Sequence, residues 1–72
     1  MIKKAVVFML DDEMVTQAIA GLLVAESSEF HVEPFPDGVF EVTVKPERRP
    51  VVEKYLRTVR DEVNVRVVEK IL

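Results

Sequence analysis

Residues 5 to 10, Ala-Val-Val-Phe-Met-Leu, form an unbroken apolar run near the start of a 72-residue chain. Valine and large apolar side chains without a breaker predict a strand over 2–10. Consecutive residues of a strand point to opposite faces of a sheet, so apolar residues at every step predict burial on both sides, in the middle of a sheet. A chain this short holds one core and buries only roughly 60% of the surface its unfolded form exposes. Two-sided burial is therefore hard to satisfy from within, and a partner is one way to satisfy it.

The following segment, "DDEMVTQAIAGLLVAESS", places Val15, Ala18, Ile19, Leu22 and Leu23 at helical spacing, with Asp11 or Asp12 available to cap the first turn. "FHVEPFP" and "VFEVTVK" read as two short strands joined through Phe35, Pro36, Asp37 and Gly38. Pro36 supplies the fixed φ of a type I turn, and Gly38 takes the left-handed conformation that closes a three-residue hairpin loop. That turn sets a register pairing Phe35 with Val39, Pro34 with Phe40, Glu33 with Glu41, Val32 with Val42 and Phe30 with Val44. The register gathers Phe30, Val32, Phe40, Val42 and Val44 on one face.

Pro34 and Pro36 have no N–H to give a ladder, which assigns their strand to a sheet edge. After "KPERRP", Pro50 fits the first position of a second helix, with Val52, Tyr55, Leu56, Val59 and Val63 as its apolar stripe. Its outer face is charged, and Glu53 with Arg57, then Arg57 with Asp61, stand at ion-pairing spacing. "VNVRVVEKIL" closes the chain as a strand by alternation of Val63, Val65 and Val67 with polar residues. The order predicts an α+β fold: a two-layer, ferredoxin-like βαββαβ sandwich with an antiparallel four-stranded sheet, in a single domain spanning 1–72.

The chain has no cysteine, which removes disulfides, thiolate metal sites and a thiol nucleophile and predicts a cytoplasmic setting. The opening apolar run is too short for a signal peptide, and no stretch approaches the roughly 20 apolar residues of a membrane span. A net charge of -3 argues against nucleic acid as a partner. With 32% charged residues and a single glutamine and asparagine, the composition has a thermophilic cast.

Candidate chemistry is sparse. Asp11, Asp12 and Glu13 follow a strand, a place where oxygen ligands hold magnesium or calcium, but three consecutive side chains diverge at a helix start and capping is the simpler role. His31, Glu33 and Glu41 share a sheet face in the predicted register, a polar cluster with the makings of a cation or acid/base site, or simply a solvated surface. No nucleophile with base and orienter, and no glycine-rich phosphate loop, is present. Lys45, Arg48, Arg49, Lys54, Arg57 and Arg60 are interleaved with Glu47, Glu53, Asp61 and Glu62, as on a mixed solvated face.

Surfaces are more informative. Between Met14 and Ala25 there is no charged residue, and the side of the first helix opposite its predicted stripe carries Thr16, Gln17, Ala20, Gly21 and Val24. Exposed helix faces usually carry lysine and glutamate, as the second helix does. Phe35 and Val39 join the bare side of the sheet, where the first strand is also apolar. These residues predict a non-enzymatic regulatory or interaction module without cofactor, acting as a homodimer or on a larger protein.

The segment "FMLDDEMVTQAIAGLLVAESSEFHVEPFPDGVFEV" resembles the effector proteins of bacterial soluble di-iron monooxygenases, on its apolar strand ending at Leu10, its helix around Ala18 and Ile19, and "VEPFP" before the next strand. The resemblance covers about half the chain and implies a small cofactor-free protein that docks on a hydroxylase. "ESS" and "KPERR" depart from that family's usual segments, so no docking residue is carried over. "VVFMLDDEMVTQAIAGLLVAESSEFHVEPFPDG" is similar to the opening of a response-regulator receiver domain, with Asp11 and Asp12 in place of its acidic pair. The rest of the chain lacks the strand ending in a phosphate-accepting aspartate. The strand order also permits a small-ligand sensor of the ACT type, and His31, Glu33 and Glu41 a metal-dependent or acid/base enzyme.

Overall fold

A computed structural model describes residues 4–71. Strand β1 runs Lys4–Leu10, helix α1 Glu13–Ala25, β2 Phe30–Pro34, β3 Phe40–Val44, helix α2 Arg49–Val59 and β4 Val65–Ile71. Residues 2 and 3, expected in the first strand, and Leu72, expected in the last, lie outside the described residues. The four strands form one antiparallel sheet in the order β2-β3-β1-β4. This is the ferredoxin-like arrangement, with the apolar run in a central strand and the proline-bearing strand at an edge.

The hairpin has the register its turn demands: Phe30 faces Val44, Val32 faces Val42, Glu33 faces Glu41 and Pro34 faces Phe40. The Phe35 N–H donates to the Val39 carbonyl at 2.9 Å, and the Gly38 N–H to the Phe35 carbonyl at 3.2 Å. Gly38 stands at φ 86°, where a Cβ would clash with its own backbone, and Asp37 Oδ1 accepts from the Val39 N–H at 3.1 Å.

Val6, Phe8 and Leu10 of β1 turn toward the helices and meet Val42, Val44, Ile19, Leu23 and Val52, all nearly or fully sealed from solvent. Each of these larger side chains contributes roughly 1.5–3 kcal/mol by leaving water. Val52, Leu56 and Val63 are buried as predicted from the second apolar stripe, while Tyr55 and Val59 are half-buried against the same core. A 3-10 turn at Pro46–Arg48, not signalled by the sequence, leads into α2. The expected pairs of Arg57 with Glu53 and Asp61 do not form among the described residues. Arg49 takes Glu53 instead, at 3.1 Å, and reaches Glu69 of β4 at 2.7 Å. That fork ties α2 to the sheet edge and raises the Arg49 pKa, chiefly through the hydrogen bond and charge of Glu53.

The rotation of α1 departs from expectation. Val15, Thr16, Ile19 and Leu23 are the buried residues, whereas Leu22 is 38% exposed and Ala18 only half-buried. Thr16, expected on the outer face, is 3% exposed. Its hydroxyl donates to the Asp12 carbonyl at 2.8 Å, which satisfies the polar atom and lets its methyl group serve the core. With the Thr16 polar atom satisfied inside the helix, nothing forces that position outward. The helix turns about 50° from the orientation that would bury Ala18 and Leu22.

Candidate interaction surfaces

The acidic trio at the start of α1 is divided between structural roles. Asp12 is the N-cap, its Oδ1 accepting from the Val15 N–H at 3.0 Å. Asp11 points elsewhere: its Oδ1 accepts from the Asn64 N–H at 3.0 Å and its Oδ2 from Asn64 Nδ2 at 2.7 Å. These hydrogen bonds, the side-chain one foremost, hold the Asp11 carboxyl below its ordinary value. Among the described residues no group of three or more His, Cys, Asp or Glu side chains is placed to hold a metal ion.

The cluster expected from the hairpin register does assemble. His31 stands opposite Thr43, Glu33 opposite Glu41, and His31 Nε2 lies 3.6 Å from Glu33 Oε1. His31 and Glu33 are exposed, Glu41 is half-buried, and no cleft described for the molecule includes any of the three.

Shallow clefts lie elsewhere among the described residues. The first, about 390 Å³, lies between Pro46, Arg49, Glu69 and Ile71, but its arginine is already engaged by two carboxylates. The second, about 450 Å³, separates α2 from β4 over Leu56, Val63, Val65 and Val67. The third, about 350 Å³, is lined by Met9, Val39, Asn64 and Arg66 at one end of the bare sheet face.

The predicted interface residues divide between two opposite sides of the molecule. On α1, Gln17, Gly21 and Val24 are exposed, Val24 to 65%, and Ala20 is half-buried; Thr16 leaves the set because it faces the core. The helix rotation adds residues that sequence spacing had assigned inward. Met14, Gln17, Ala18, Gly21, Leu22 and Ala25 stand at i, i+3, i+4, i+7, i+8 and i+11, and the stripe holds no charge. Met14 at its head is 81% exposed. Nothing lies within 4 Å of where a Gly21 Cβ would be. On α2 the exposed positions are instead Pro50, Lys54, Arg57 and Thr58, with Arg60 exposed at its C-terminal cap.

Phe35 and Val39 belong to the other side, with the sheet face that the helices leave bare. There the register sets Glu33, Glu41, Met9 and Arg66 in one row across the strands, and His31, Thr43, Val7 and Val68 in the next. A third row holds Lys45, Ala5 and Lys70, with Glu29 3.7 Å from Lys45. Ala5 and Val7 are 2% and 1% exposed, so this face is less apolar than the run of β1 suggests. Phe35 remains 40% exposed at the hairpin tip. No helix among the described residues is long and apolar enough to cross a membrane. No protein-family model matches the chain, and no curated protein matches it in sequence.

Proposed function

We propose that this chain is a non-enzymatic interaction module that docks on a larger protein through the exposed stripe of α1. The observation that carries this is the contrast between two helices of one small domain. α2 shows water the charged surface expected of a solvated helix, while α1 shows Met14, Ala18, Gly21, Leu22 and Ala25 without a charge among them. Glu13 stands at one end of the stripe and Glu26 just beyond the other. The partner surface that fits is apolar along its length, with basic residues at both ends. Small side chains at Ala18 and Gly21 admit close approach between Met14 and Leu22, the bulky groups that enter the partner.

The test is affinity capture with the intact chain beside a Met14→Glu/Leu22→Lys variant, followed by direct binding measurements with the captured protein after purification. Loss of affinity by at least about tenfold in the variant, with its melting curve unchanged, supports docking through α1. Equal binding by both chains refutes it. A di-iron hydroxylase, the partner implied by the resemblance of residues 8–42, belongs in the same binding experiment. Calorimetric titration with amino acids and divalent ions addresses the sensor alternative, for which heat of binding is the positive result.

A further inference from the structure

We infer that the bare face of the sheet binds a second copy of this chain, in a two-fold dimer whose axis runs parallel to the strands. The row through Met9 has a sign on each side: β2 and β3 present Glu33 and Glu41, and β4 presents Arg66. In the row through Ala5, Lys70 of β4 stands across from Lys45, which pairs with Glu29 at 3.7 Å. Arg66, Lys70 and Glu41 make no ion pair among the described residues, and Glu33 meets only His31. A rotation about an axis parallel to the strands lays β4 of one copy over the β2–β3 hairpin of the other. Because that rotation keeps each row in place along the strands, Arg66 meets Glu33 and Glu41 twice, once on each side of the axis, and Lys70 comes over the Lys45–Glu29 pair.

Other pairings of two copies bring like groups together or lack a donor. A two-fold axis perpendicular to the strands lays β4 on β4 and sets Arg66 over Lys70. Edge pairing of two β4 strands about Val68 places Arg66 opposite Lys70 again, and like charges directly opposite destabilise a ladder. Edge pairing through β2 meets Pro34, which has no N–H to donate. Antiparallel packing of two α1 helices brings Glu13 of one against Glu26 of the other. With its axis along the strands, the sheet face instead sets Arg66 over Glu33 and Glu41.

Four strands about 4.8 Å apart and roughly 20 Å long offer on the order of 400 Å² of projected face per copy. That is at the low end for a specific interface, and Ala5 and Val7 are already covered, so charge contributes much of the attraction. The expected dimer is therefore concentration-dependent and weakened by salt. It leaves both α1 stripes outward, since α1 packs on the opposite side of each sheet, so partner docking and self-association are separate properties.

The experiment is analytical ultracentrifugation of the intact chain up to about 1 mM, at low salt and again near 1 M salt, where screening acts within about 3 Å. Two variants accompany it, E33R/E41R and R66E, each checked for an unchanged melting curve. The expected result is a wild-type dimer that dissociates with added salt, and at least a tenfold rise in dissociation constant for each variant alone. An equimolar mixture of the two variants regains dimerisation, because their reversed charges match. A wild type that stays monomeric at low salt overturns the proposal. So does a pair of variants that dimerise like the wild type, or a mixture that gains nothing.

Discussion

Asp11 and Asn64, 53 positions apart in the chain, form a two-point clamp in which one carboxylate receives both the backbone and the side-chain N–H of the asparagine. The clamp joins the exit of β1 to the entry of β4, two neighbouring strands of the sheet. It also explains why the two adjacent aspartates are not interchangeable: Asp12 starts the helix, and Asp11 closes the loop beneath it.

The clamp makes part of the stability acid-sensitive. Folding depresses the Asp11 pKa below its ordinary value of 3.8, so its contribution is fully present above that value and is lost as pH falls through the lower folded-state value. Urea titrations at pH 7 and at acid pH should show wild type more stable than Asp11→Ala at neutrality, with the difference shrinking toward pH 2. A difference that stays constant across this range would exclude the clamp as its source.

Gly21 and Gly38 should respond oppositely to alanine. At Gly21 a methyl group meets nothing, and alanine in place of glycine inside a helix contributes up to about 1 kcal/mol, so the isolated chain is stabilised. At Gly38 the φ of 86° strains any side chain, and alanine costs roughly 1–2 kcal/mol. Denaturant midpoints of the two variants decide it. Gly21→Ala should in addition weaken partner docking, because the added methyl fills the gap between Met14 and Leu22.

The end of α1 leaves stability to be gained. The Ser27 N–H donates to the Val24 carbonyl at 3.0 Å and the Ser28 N–H to the Leu23 carbonyl at 2.9 Å, the Schellman pattern, with Ser27 at the left-handed position. Its φ of 53° is one that glycine adopts freely. Ser27→Gly should raise stability by about 1 kcal/mol in thermal unfolding, with no change in secondary-structure signal.

Thr16 and Leu22 test the rotation of α1 directly. Thr16→Lys forces a charge into a site that is 3% exposed and should cost more than about 3 kcal/mol or abolish folding, whereas Leu22→Lys should change stability by less than about 1 kcal/mol. A rotation that buried Leu22 and exposed Thr16 would give the reverse ranking in the same melts.

Much of the fold is local and was legible in the chain. Pro36, Asp37 and Gly38 dictate one turn, that turn dictates the register from Phe30–Val44 to Pro34–Phe40, and prolines keep β2 at the edge. Those effects act over a few bonds, through φ restriction and missing N–H groups, and need no knowledge of distant residues. The order of apolar segments then allows few other ways to bury the Val6, Phe8 and Leu10 side of β1.

The surfaces depended on tertiary packing. Thr16 and Leu22 flank the line of Val15, Ile19 and Leu23 from opposite sides, and which of them turns inward followed from the Asp12 carbonyl accepting the Thr16 hydroxyl and from the shape of the core that receives α1. Similarly, the sequence contained Asp11, Asn64, Arg49 and Glu69, but only the closed sheet brought these distant pairs within hydrogen-bonding reach. By itself the sequence determined the elements, their order and the hairpin register, because backbone preference and apolar periodicity are short-range. Tertiary structure decided the helix rotation, the clamps and the division of charge across the bare sheet face, because each depends on side chains that meet only after the chain has folded back on itself.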